Sequence, residues 1–99
     1  MSLLFENILS LKIEKYYVEG PATNCPTKEQ IINTETECRA AAAELGNNFR
    51  KVVAMQTDRP AGCFWDRNAQ NHYFNTLLDL SQANPTFGGV RGTCKKAGN

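Results

Sequence analysis

Four cysteines, Cys25, Cys38, Cys63 and Cys94, and a single histidine, His72, are the side chains of this 99-residue chain best suited to redox, metal or proton chemistry. Their spacing decides among these. Structural zinc draws on closely paired ligands, whereas here no two cysteines are near neighbours and only one imidazole is present, so no metal centre is expected. A histidine acting as a base needs a nucleophile or an acid set against it. Ser10, Ser81, Asp66 and Asp79 can be combined with His72 on paper, but nothing in their spacing selects such a set. No Gly-x-Ser-x-Gly, phosphate-loop or zinc-protease motif occurs. The run Asp66-Arg67-Asn68-Ala69-Gln70-Asn71 carries oxygen-bearing side chains at alternate positions, faintly like a calcium loop, yet lacks the central glycine and closing glutamate and reads as a solvated turn. The expected role is non-catalytic, without cofactor or metal.

The cysteines read instead as disulfides. A single domain of this size buries only about two-thirds of the surface its unfolded chain exposes, so its core alone is marginal and crosslinks are a common remedy. Four cysteines admit three pairings. Cys38 falls on the apolar stripe of the best-defined helix and Cys63 opens the most apolar strand, so a Cys38–Cys63 bridge would clamp helix to sheet and leave Cys25 and Cys94 to tie the two ends. In the chain-entropy account such loops are worth roughly 3.5 and roughly 4.5 kcal/mol.

The elements that position these side chains follow from local pattern. Thr34 and Glu37 have the spacing of a capping box ahead of an alanine-rich run, which predicts a helix over about residues 35–45, closed by Gly46. Its apolar stripe is Cys38, Ala41, Ala42 and Leu45. Residues 11–18 and 52–56 read as strands, neither alternating cleanly, and Lys15 suggests a bulge near Tyr16. Arg59-Pro60-Ala61-Gly62 turns into Cys63-Phe64-Trp65, and the polar loop 66–71 connects to His72-Tyr73-Phe74-Asn75, forming a hairpin. Residues 76–83 suit a short helix ending before Pro85, and Gly88, Gly89 and Gly92 predict an irregular tail from about residue 84. The fold class is α+β: one principal helix packed on a small antiparallel sheet, in one domain spanning the chain.

The aromatic hairpin is the candidate binding surface. If Trp65 opposes His72, then Cys63, Trp65, His72 and Phe74 share one face and Phe64 and Tyr73 the other; a shift of one residue sets Tyr73 beside Trp65. Rings left outward beside Asp66, Arg67, Asn68 and Asn71 would suit stacking on a sugar or anchoring a protein partner, so the binding candidates are Trp65, Asp66, Arg67, Asn68, Asn71 and Tyr73. The plainer reading is that these rings form the core of a small domain.

Eleven basic against ten acidic residues give a net charge of +1, with no Lys/Arg concentration able to track phosphates, so nucleic acid is not an expected partner. The longest apolar region, residues 3–11, is interrupted by Glu6, Asn7 and Ser10 and is too short to span a bilayer. No secretory leader is visible, and residues 1–3 look like a remnant of expression, so the chain is read as a mature fragment of a secreted or surface protein.

The order Cys25, Ile32, Glu37-Cys38-Arg39-Ala40-Ala41-Ala42, Leu45-Gly46, Pro60-Ala61-Gly62-Cys63-Phe64-Trp65, Tyr73-Phe74-Asn75, Cys94 resembles a short cysteine module of secreted or surface proteins from single-celled marine algae, over about residues 16–95. A looser likeness is to the apple or PAN module, in which a helix is cradled by an antiparallel sheet and bridged to it by a disulfide; the fuller cysteine pattern of that family is missing. The resemblance implies an extracellular binding role toward carbohydrate or protein and supplies no catalytic residues. The alternatives are a purely structural domain of a larger secreted protein, or a small enzyme inhibitor presenting Arg59-Pro60 or the 66–71 loop.

Overall fold

The computed structural model describes residues 15–97, so residues 11–14 of the first expected strand and residues 1–3 lie outside the described residues. The chain runs through β1 (Tyr16–Val18), a single 3-10 turn (Lys28–Gln30), α1 (Glu35–Glu44), β2 (Asn48–Val53), β3 (Gly62–Asp66), β4 (Asn71–Asn75) and β5 (Val90–Lys95). The strands form one sheet in the order β1-β5-β3-β4-β2, with α1 packed on it. The expected α+β class is the observed one.

Local chemistry accounts for the helix ends. The Thr34 hydroxyl accepts the Glu37 N–H at 3.2 Å, satisfying one of the free donors of the first turn. Gly46, at φ 78°, supplies the left-handed residue that lets the Asn47 N–H return to the Ala42 carbonyl at 2.8 Å. Cys38, Ala41 and Ala42 are buried and Leu45 packs partly against them, as the stripe predicts.

Three differences from the sequence expectation concern strands. First, β2 begins at Asn48 and ends at Val53, rather than covering 52–56, and it pairs with β4 in parallel while the other pairings between these five strands are antiparallel. After β2 the chain crosses to β3, on the far side of β4, and the hairpin then returns β4 in the direction of β2. A register shift between Phe49 and Lys51 puts Phe49 opposite His72 and Val52 opposite Phe74, which removes the period-two signature. Second, residues 76–83 form no helix. The Thr76 N–H donates to the Val53 carbonyl and the Leu77 carbonyl accepts the Gly62 N–H, both at 3.0 Å, so the start of this segment is tied to the sheet, and only isolated turns follow, Gln82 N–H to the Asp79 carbonyl at 3.0 Å and Ala83 N–H to the Leu80 carbonyl at 3.3 Å. Third, the tail is not irregular throughout, since Val90–Lys95 is an interior strand between β1 and β3. Gly92 is there because the 23–25 backbone crosses directly above it: a Cβ would lie 3.0 Å from the Cys25 nitrogen and 3.1 Å from the Thr23 oxygen.

Strand alternation gives the sheet two covered faces. On one, Tyr16, Cys63 and Phe74 pack with Ile32 and with Cys38 and Ala41 of α1. On the other, Cys94 packs with Cys25, Ile31, Ala61, Leu77 and Ala83, all from the connecting segments. Each face holds one disulfide. Cys38–Cys63 joins α1 to β3 with Cα atoms 5.3 Å apart, and Cys25–Cys94 joins the 19–27 connection to β5 at 5.6 Å. Both pairings match those expected from the placement of the cysteines.

Candidate functional site

The β3–β4 hairpin adopts the register in which Trp65 opposes His72 and Phe64 opposes Tyr73. Side chains on adjacent residues of a strand point to opposite faces, so Trp65 and Tyr73 do not share one surface. Tyr73 stacks on the buried Phe64, ring centroids 5.4 Å apart and planes 15° from parallel, and is itself half-buried. The polar hairpin residues serve mainly to shape the loop. Asp66 accepts the N–H groups of Asn68 and Ala69 at 2.9 and 3.4 Å, and the Asn71 amide donates to the Ala69 carbonyl at 3.1 Å. The Arg67 N–H reaches the Gly89 carbonyl at 2.7 Å, and the Asn68 amide lies directly over Gly89. Only Arg67 and Asn68 are exposed among the six binding candidates.

Trp65 belongs to a different constellation. It lies between His72 on β4 and Arg91 on β5, and His72 in turn opposes Phe49 on β2. Arg91, Trp65, His72 and Phe49 thus form a row across four strands on the face that carries α1. Arg39 of α1 closes the Phe49 end, its guanidinium 4.3 Å from the ring centroid while it pairs with Glu35 at 2.8 Å. Trp65 and His72 are 5.1 Å apart between centroids, and Trp65 remains half-buried whereas His72 is sealed from solvent. Neither imidazole nitrogen has a hydrogen-bond partner among the described residues, and burial pushes the His72 pKa down to about 4, so the ring is neutral at ordinary pH. The Arg91 Nε is likewise shielded from solvent and donates to no acceptor among the described residues.

This arrangement sets a partly exposed indole beside a guanidinium and a neutral, buried imidazole. Ser10 lies outside the described residues; among those described, Ser81 donates to Asp79 at 2.7 Å on an exposed turn, and His72 is bonded to neither of them nor to Asp66. Among the described residues no group of three or more His, Cys, Asp or Glu is placed to hold a metal. Arg59 is stacked on Phe87, 4.6 Å from the ring centroid, and paired with Asp58 at 3.1 Å, while Pro60 is buried, so this dipeptide is not displayed as a free loop.

Arg91 was not legible as a site residue because its glycine-flanked segment reads as irregular. The available signal is the period-two set Val90, Gly92 and Cys94, all buried on one face of β5. With its buried faces and bridges, the chain belongs in architecture to the small disulfide-stapled α+β domains. It matches no protein-family model, and comparison with curated proteins and with solved structures found no match. No helix among the described residues is long and apolar enough to cross a membrane.

Proposed function

We propose that this domain is a non-catalytic extracellular binding module that takes carbohydrate on the face bearing Trp65. The observation that carries the reading is the partly exposed Trp65 ring flanked by Arg91, whose Nε has no acceptor among the described residues. An indole offers a flat apolar surface to the C–H face of a sugar ring, and a guanidinium beside it offers planar donors to hydroxyl or acidic substituents. His72, neutral and buried below, keeps the platform rigid without adding charge. Two disulfides support an oxidising, extracellular setting, where such crosslinks form and persist.

Trp65 is the only tryptophan in the chain, so its emission reports on this face alone. Titration with a panel of oligosaccharides is expected to shift or quench that emission for at least one of them, and Arg91→Gln is expected to weaken the response. Emission that ignores every saccharide, together with retention of Trp65→Ala equal to wild type on glycan affinity columns, would sink the reading.

A further inference from the structure

The arginines of the described residues differ in what their guanidinium groups meet. Arg39 pairs with Glu35 and stacks on Phe49, and Arg59 pairs with Asp58 and stacks on Phe87. Arg50 and Arg67 are exposed, so water serves their charge. Arg91 is different: it is partly buried, yet its guanidinium meets neither a carboxylate nor a ring face among the described residues. Its Nε is shielded from solvent with no acceptor, a desolvation cost that no bond within these residues returns. The carboxylates carried by the neighbouring segments are engaged elsewhere. Asp66 lies on the opposite face of β3 from Trp65 and accepts the Asn68 and Ala69 N–H groups, while Glu19 accepts the Tyr17 hydroxyl at 2.9 Å.

Arg91 directly opposes Trp65 in the β3–β5 ladder, so the two side chains share a face on strands about 4.8 Å apart. Along that face Cys63 and Thr93 are fully buried, and the surface opens at Trp65 and Arg91, both partly exposed. We propose that Arg91 is the counter-ion for a carboxylate on the sugar itself, so that the ligand is a uronic-acid residue, its C–H face on Trp65 and its carboxylate on the Arg91 guanidinium. The planar fork of a guanidinium matches a carboxylate, and a saturated ring bearing one at its edge covers the distance between adjacent strands. The inference rests on the Trp65 reading above and adds the charge class and the size of the ligand: one acidic sugar residue fills both positions.

The test is a titration of the full chain at pH 6 with methyl glucuronide, its methyl ester, methyl glucoside, a glucose sulfate and acetate, following the Trp65 indole and Arg91 Nε–H signals in 1H–15N spectra. The glucuronide is expected to move both signals and to bind about fivefold or more tighter than the ester or the glucoside. Arg91→Gln is expected to abolish that preference while the weaker neutral binding at Trp65 remains; Arg91→Lys, which keeps the charge and loses the fork, is expected to retain only part of it. The comparison among ligands is made on the unaltered chain and does not depend on either variant folding. If glucuronide, ester and glucoside bind equally and move Trp65, the acidic class is overturned and the Trp65 reading stands. A glucose sulfate that binds more tightly than the glucuronide overturns the choice of carboxylate. If acetate moves the Arg91 signal as strongly as the glucuronide does and no sugar moves Trp65, the site takes an adventitious anion only, and both readings fail.

Discussion

Trp65 and His72 face one another across the β3–β4 ladder, ring centroids 5.1 Å apart and planes 45° from parallel, and the imidazole is sealed off with neither nitrogen bonded among the described residues. A buried, unbonded imidazole favours its neutral form, so its folded pKa of about 4 lies well below the ordinary 6.5. The unfolded chain then takes up the proton first as pH falls. This contribution to stability is present in full above pH 6.5 and is lost progressively down to about pH 4, by about 3 kcal/mol in all. Urea midpoints measured at pH 7.5, 5.5 and 4.5 are expected to fall in the wild type and to fall less in His72→Phe. Parallel curves for the two proteins would show that His72 is not the responsible group.

Asn75 is expected to be among the least replaceable polar residues. It is fully buried, its amide donates to the Gln56 and Pro60 carbonyls at 2.8 and 2.9 Å, and its oxygen accepts the Gln56 and Leu77 N–H groups at 3.0 and 3.2 Å. All four of its hydrogen-bonding positions are therefore filled, and they hold the connection into β3 against the segment after β4. In Asn75→Asp a carboxylate oxygen would face two carbonyl oxygens, costing roughly 3 kcal/mol at pH 7. Protonation restores one donor, so the loss is expected to shrink on acidification, as read by chemical denaturation. A variant as stable as wild type at pH 7 would contradict this account.

The disulfides should differ in worth in a predictable order. Cys25–Cys94 closes a span of 69 residues and Cys38–Cys63 one of 25. Loop-closure entropy then assigns about 4.5 and about 3.5 kcal/mol, so paired replacement by alanine is expected to lower the melting temperature more for Cys25 with Cys94. Because both bridges leave no free thiol, alkylation of the unreduced protein, native or unfolded in urea, should leave its intact mass unchanged. Four modified thiols in oxidised native material would contradict both bridges.

Gly62 sits at φ 70° where a Cβ would lie 2.5 Å from Ile31 Cγ2 and 2.6 Å from the Ile32 carbonyl oxygen. A left-handed backbone and a collision with main chain coincide, so Gly62→Ala is expected to cost more than about 2 kcal/mol. Gly20→Ala, where a Cβ would meet nothing within 4 Å, is the control and is expected to change stability little. Equal thermal stability of the two variants would show that the contact above Gly62 relaxes freely.

Features set by near neighbours in sequence were readable in advance. The capping box of Thr34 and Glu37, the Cys38-Ala41-Ala42 stripe and the left-handed Gly46 each depend on residues within one or two helical turns, and each takes its expected form. The hairpin register was narrowed to two choices by the alternation of its rings, and Trp65 against His72 is the one adopted. Both disulfides followed from which elements carried the cysteines.

What the local pattern misread depends on contacts between segments far apart in the chain. Gly92 looks like a breaker in sequence, but in the fold it leaves room for the 23–25 backbone above an interior strand. Residues 76–83 have helical composition, yet the Leu77 carbonyl and the Thr76 N–H, which would begin a helix there, are taken by Gly62 and Val53. The direction of β2 is a property of the crossover and not of its residues, and the same holds for the candidate site. Residue types alone singled out Trp65 in this chain; that it stands beside Arg91, away from Tyr73 and on the same face as Lys95, was decided by strand order and register, which no short window of sequence contains.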